Sequence, residues 1–170
     1  MGSKVIVELL PEIKHYDGME LRGDSASIRS MYDNTENDLG DADLMLYMGF
    51  IGSNYDWGGG VAYAGVVCED EIYAKYKQSI NCYGQSMSSM GELLAHEVGH
   101  NLGMMHDFHS NHGGSENPCD GEGFMSYYDH KSQWSKCSIK DFTAQYTEHK
   151  DVWCMPGNYT SHTSCTLNKK

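Results

Sequence analysis

The sequence predicts an α/β (α+β) fold, on three observations. Val5 to Leu10 and Leu44 to Met48 are short apolar runs suited to buried strands, and between them Ser25 to Asn34 carries Ile28, Met31 and Tyr32 at helical spacing. The first part of the chain therefore reads as strand, helix, strand. Ser89 and Glu92 form a capping-box signature that opens a further helix, in which Met90, Leu93, Leu94 and Val98 give a nearly continuous buried stripe. Ser138 and Asp141 give a similar start signal before Ile139, Phe142 and Tyr146, which predicts a closing helix. Residues 107 to 137 between these helices read as irregular, with His109-Ser110-Asn111-His112-Gly113-Gly114 as a solvated polar loop. Gly91 and Gly99 each cost their helix about 1 kcal/mol relative to alanine, so packing must offset them.

Composition sets bounds. A chain of 170 residues with 39% hydrophobic content is one domain's worth and can supply a core. The formal charge of -12 leaves no basic stripe to displace counterions from phosphates, which argues against a nucleic-acid partner; it favours encounter with basic substrates. No run approaches the roughly eighteen apolar residues that a membrane span requires. Met1-Gly2-Ser3-Lys4 is not a secretory signal, and any signal or pro-segment is expected to have been removed.

The chemistry is concentrated in His96-Glu97-Val98-Gly99-His100-Asn101-Leu102-Gly103-Met104-Met105-His106-Asp107. On a helix, positions four apart share a face, so His96 and His100 can direct ring nitrogens at one cation. Glu97 follows the first of them, which turns its carboxylate toward the same cleft and leaves it free to act as a base. His106 is too far along for a continuing helix to keep it on that face. Gly103, which enters the left-handed region without a Cβ clash, permits the turn that brings it back. Three imidazole ligands with one position left open is the pattern of a catalytic, rather than a structural, zinc site.

This spacing is the metzincin form of the zinc-protease motif, which requires a methionine turn further along. Met125, in Gly123-Phe124-Met125-Ser126-Tyr127, supplies it. The segment from His96 to Asp107, with aspartate directly after the last histidine, resembles the adamalysin or reprolysin metalloproteases, which include venom and ADAM-type enzymes. Asp41-Ala42-Asp43-Leu44-Met45-Leu46-Tyr47 looks like that family's central strand, and Gly60-Val61-Ala62-Tyr63-Ala64-Gly65-Val66-Val67-Cys68 like its substrate-side edge strand. Trp134-Ser135-Lys136-Cys137-Ser138 matches its pattern as well. The resemblance implies a metzincin, zincin-like fold: a mixed twisted sheet with an active-site helix and a smaller irregular C-terminal lobe. Residues 1-170 are then one metalloprotease catalytic domain, with an upper lobe over about 1-103 and a lower lobe over about 104-170. Its N-terminal portion reads as abbreviated, because the family's domain opens with a further strand and a long helix before the segment resembling Val5 to Leu10.

Six cysteines, none in a short Cys-x-x-Cys pair, suit a secreted or extracellular enzyme, or the ectodomain of a membrane-anchored one, better than a second metal site. By resemblance Cys68 pairs with Cys154 and Cys119 with Cys137, which leaves Cys82 with Cys165. Tyr127, two residues after the methionine as in astacins and serralysins, is open to two readings: a fifth zinc ligand or oxyanion donor, or a packing tyrosine. Some adamalysins bind a structural calcium, and Asp41 and Asn158 fall roughly where two of its ligands sit, while another ligand belongs to the missing N-terminal sequence. Asn158-Tyr159-Thr160 is a glycosylation sequon.

The expected function is zinc-dependent endopeptidase activity on extracellular proteins, through one catalytic zinc ion held by His96, His100 and His106. Glu97 is the general base for a zinc-activated water, and Gly103, Asp107 and Met125 shape the site. The substrate is expected to bind as an extended strand on the edge at Gly60 to Ala64. The alternative is a non-catalytic adhesion or binding module of the same fold that uses Arg22-Gly23-Asp24, an integrin-type tripeptide that otherwise reads as a turn beside a helix start.

Overall fold

A computed structural model describes Ser30 and residues 44–50, 59–67, 76–83, 90–107, 119, 123–126 and 133–149. Five elements lie in this set: β1 (Met45–Phe50), β2 (Gly59–Ala62), β3 (Gln78–Tyr83), α1 (Met90–Asn101) and α2 (Lys136–Glu148). The expected strand at Val5 to Leu10 and all of the helix at Ser25 to Asn34 except Ser30, which is helical, fall outside the described residues.

The described sheet is mixed. Its order is β1-β3-β2, with β1 parallel to β3 from Met45 opposite Gln78 to Phe50 opposite Tyr83, and β2 antiparallel to β3 from Gly59 opposite Cys82 to Ala62 opposite Ser79. β1 matches the apolar run at Leu44 to Met48. β2 is shorter than the Gly60 to Cys68 stretch expected as an edge strand, because the chain turns after Ala62, with Gly65 at φ 69°. β3, which pairs on both sides, was not apparent in the sequence: Gln78-Ser79-Ile80-Asn81-Cys82-Tyr83 carries little apolar signal, and neighbours rather than propensity stabilise it.

α1 packs against β2 and β3. In its second half, His96 to Asn101 are all buried, whereas Leu93 and Leu94 are only half-buried. Val98 from α1 joins Val67, Leu102, Met104 and Met125 in one core cluster, against which Leu44 and Leu46 of the β1 side and Trp134 and Phe142 of the α2 side pack. The core thus bridges the sheet and the closing helix through α1.

α2 begins three residues earlier than its expected start at Ser138. Ser135 is the N-cap: it is extended, and its hydroxyl accepts the Ser138 N–H at 3.0 Å. Ser138 is instead inside the first turn and fully buried. A disulfide joins Cys119 to Cys137 in that same turn, with Cα atoms 5.8 Å apart. Cys68, Cys154 and Cys165 lie outside the described residues, and of Cys82 only the backbone in β3 is described. No helix among the described residues is long and apolar enough to cross a membrane.

The two α1 glycines have different reasons to be there. A Cβ on Gly99 would meet Met125 Sδ at 2.5 Å and the Trp134 ring at 3.1 Å, whereas a Cβ on Gly91 would meet nothing within 4 Å. Gly99 lets the methionine turn and Trp134 approach the helix axis, and Gly91 carries only the entropic cost of glycine. Gly91→Ala is accordingly expected to stabilise the fold by up to about 1 kcal/mol, and Gly99→Ala to destabilise it by about 1–3 kcal/mol through overpacking. Urea denaturation of both variants checks this, and equal shifts of the same sign would contradict it.

Candidate metal centre

α1 carries His96 and His100 one turn apart, and the chain then reverses. The helix ends at Asn101; Gly103 adopts φ 91°, donating its N–H to His100 O at 2.8 Å, and Met104 donates to Gly99 O at 2.9 Å. This turn carries His106 back to the other two rings, so that one ring nitrogen from each of the three histidines clusters with the others. His96 and His100 lie edge to face with centroids 4.8 Å apart, and His106 stacks on His96 at 5.2 Å.

The backbone holds two rings in a defined tautomer. His96 Nδ1 lies 2.7 Å from Phe124 O and His100 Nδ1 lies 2.8 Å from Met104 O. A carbonyl only accepts, so each Nδ1 bears the hydrogen and each Nε2 is left with a lone pair. His100 Nε2 faces His106 Nε2 at 3.0 Å. Burial, with His96 and His106 alongside, pushes His100 down to about 3, which keeps this imidazole neutral at physiological pH. Two imidazoles with Nε2 lone pairs left free and a third ring at close range suit a divalent cation, and a donor set of three imidazole nitrogens is one that zinc accepts.

Glu97 is buried beside these rings, only 3% exposed. Burial pushes its carboxyl up from 4.5 to about 8. Among the described residues its Oε2 has no hydrogen-bond partner, and its carboxylate packs directly on Gly60 of β2, where a Cβ would collide with it. A buried carboxylate with an oxygen that has no hydrogen-bond partner among the described residues, on the residue directly after His96, is the second observation that fits a cation, since a positive charge nearby would favour its ionised form.

Asp107 and Met125 support the site from below. Asp107, fully buried, accepts the Ser135 hydroxyl at 2.5 Å and the Ser138 hydroxyl at 3.4 Å through Oδ1, and its N–H donates to Met125 O at 2.9 Å. Burial raises the Asp107 carboxyl above its ordinary value, against the lowering effect of the two serines. Met125, with no exposed surface, sits against the helix at Gly99. Asp107, Cys119 and Cys137 also lie close together, but the two sulfurs are joined to each other and offer no thiolate. Tyr127, Asp41, Asn158 and Arg22-Gly23-Asp24 lie outside the described residues. Sequence reasoning passed over Gln145 and gave Gly60, Ser135 and Asp141 other parts, in the edge strand, in the matched stretch from Trp134 to Ser138 and in a capping signal with Ser138; the spacing of Ser135 to Ser138 is the same as that of Ser138 to Asp141.

The buried groups make metal-free stability depend on pH in two directions. Glu97, raised from 4.5 to about 8, contributes stability that is complete below 4.5 and is lost as pH rises through about 8. His100, lowered from 6.5 to about 3, contributes stability that is complete above 6.5 and is lost as pH falls toward about 3. In chelator the thermal midpoint is expected to fall on both flanks, and Glu97→Gln to reduce the alkaline decline, to which Asp107 also contributes, while leaving the acid one. Parallel pH profiles for parent and variant would contradict the assignment.

Comparison with known proteins agrees with this geometry. The pattern of the Reprolysin (M12B) family zinc metalloprotease matches residues 29–158, which include every group described above. The human disintegrin and metalloproteinase domain-containing protein 9 is 33% identical over 104 residues, covering 59% of this chain and 11% of that protein. The chain thus spans about a tenth of the length of that relative. With three-quarters of its residues inside the family pattern, the chain belongs to the reprolysin (M12B) family of zinc metalloproteases, whose fold is the metzincin fold.

Proposed function

We propose that this chain is a catalytic domain that hydrolyses peptide bonds in extracellular polypeptides, with His96, His100 and His106 as the zinc ligands and Glu97 as the general base. The observation that carries the reading is the pairing of backbone-fixed imidazoles with a buried carboxylate that lacks a partner among the described residues. Membership of a zinc metalloprotease family supports it, and the Cys119–Cys137 disulfide supports an extracellular setting.

His96, His100 and His106 would hold a zinc ion, which would supply a Lewis acid for the scissile carbonyl and would lower the pKa of water toward neutrality. Glu97 takes the proton from the attacking water at Oε2 and passes it to the nitrogen of the leaving amine. Burial raises this carboxyl in the metal-free chain, and a cation held by the three imidazoles would favour the ionised form that accepts the proton. Phe124 O and Met104 O hold Nδ1 of His96 and His100, which leaves each Nε2 lone pair free for the ion the rings would hold. Asp107 and Met125 hold the segment after His106 in place.

Substrate orientation follows from the sheet. β2 lies at an edge of the described sheet, and Gly60 in it touches Glu97, so a peptide paired along β2 as an added strand passes beside the base. Main-chain pairing gives affinity with little demand on side chains.

Glu97→Gln is expected to retain zinc, measured by mass spectrometry, while kcat/KM on a peptide library falls by about 10²–10⁴-fold; undiminished cleavage refutes the role of base. Chelation is expected to abolish cleavage by the parent and zinc to restore it. Gly60→Ala, whose methyl displaces the Glu97 carboxylate, is expected to cost on the order of 10²-fold in kcat/KM with zinc still bound, and an unchanged rate would show that this contact does not position the base.

A further inference from the structure

We infer that Asp141 and Gln145, on one face of α2, are positioning residues for the third imidazole, His106; this rests on the zinc reading above. α2 meets the segment from Gly103 to Asp107 at three successive levels. At its N-terminus the hydroxyls of Ser135 and Ser138 donate to Asp107 Oδ1. One turn on, Asp141 Oδ2 accepts the Met105 N–H at 3.1 Å. A further turn on, Gln145 Nε2 donates to Gly65 O at 3.0 Å, and its Cβ and Cγ lie so close to Gly103 that a Cβ there would come within 2.9 and 3.0 Å of them. Positions 138, 141 and 145 are three and four apart and so stack along one helix face.

The contacts fall on both neighbours of His106. Met105, before it, is held by Asp141, and Asp107, after it, is held by the two serines and by Met125 O. Gln145 acts one step upstream, where the direction of the turn is set. Its carboxamide reaches Gly65, whose N–H donates to His100 O at 2.9 Å, and that same carbonyl receives the Gly103 N–H at 2.8 Å. The His100 carbonyl, Gly65, Gln145 and Gly103 thus form a closed ring of contacts that joins the end of β2 to the turn delivering the last ligand. The segment from Gly103 to Asp107 has no regular secondary structure of its own beyond a single bridge at His106, so the face of α2 fixes the path of its backbone. Neither Asp141 nor Gln145 belongs to the ligand set, and both act on zinc through His106.

Groups that orient metal ligands without touching the metal typically change metal affinity by about 10–100-fold when removed. The test uses the full chain and reads three quantities: the zinc dissociation constant by chelator competition, the visible spectrum of the cobalt-loaded protein, and the thermal midpoint in chelator. Asp141→Ala is expected to weaken zinc by about 10–100-fold and to alter the cobalt spectrum, whereas Asp141→Asn, which keeps an acceptor oxygen for Met105 N–H, is expected to bind near the parent's affinity. Gln145→Leu, which keeps the stem and loses the donor, is expected to weaken zinc as well, and it carries the test by the same readouts should Asp141→Ala fail to fold. A fall in the thermal midpoint with zinc affinity and cobalt spectrum unchanged overturns the positioning role in favour of a purely structural one. A parent that binds no zinc removes the proposed function together with this inference; a parent that binds zinc, with alanine and leucine variants indistinguishable from it, removes this inference alone.

Discussion

The reversal of the chain at Gly103 is the constraint on which the rest of the structure depends. His96 and His100 share a face by helical geometry alone, but six more residues of helix would carry the next histidine about 9 Å along the axis. Only a residue comfortable at φ 91° allows the turn that brings it back. The turn does a second thing. Met104, the first residue past it, offers the carbonyl that binds His100 Nδ1, so the bond pattern that stops the helix also decides which nitrogen of His100 is left free. Ending the element and orienting the His100 ring are a single event in the backbone.

Around this turn the chain buries polar groups at unusual density. His96, Glu97, His100, Asn101 and Asp107 all lie beside an apolar cluster of Val67, Val98, Leu102, Met104 and Met125. Each buried polar group left without a partner costs about 1–3 kcal/mol. Most find one on irregular backbone: Phe124 O for His96, Met104 O for His100, Tyr63 O for the Asn101 amide. The loops are therefore an intrinsic part of the site, since helices and strands consume their own carbonyls and have few to offer. Glu97 Oε2 is one of three buried oxygens without a hydrogen-bond partner among the described residues, with Asn101 Oδ1 and Asp107 Oδ2, and it belongs to the group proposed as the base.

What was legible in the sequence was whatever is encoded locally. The spacing of His96, Glu97 and His100 on a helix, the glycine that turns the chain toward His106, and the apolar run of β1 each need only a few neighbouring residues. β3 was not legible because its polar residues become a strand through pairing with β1 and β2, a tertiary effect. The start of α2 reads in the sequence as Ser138, and the cap is Ser135 because Ser138 turns inward to Asp107. Gly60 against Glu97, and Gln145 beneath Gly103, join positions far apart in the chain. No periodicity marks them.

The Cys119–Cys137 cross-link closes a loop of 18 residues around the methionine turn and the first turn of α2. A tether of that span restricts the denatured ensemble by about 3 kcal/mol in the chain-entropy account. The segment that carries the methionine turn is thus favoured by limiting how far it can wander once melted. Cooperativity between the ligand turn and its floor then depends on the redox poise of the surroundings, and thiol-rich fluid would loosen that floor before it disturbed the sheet.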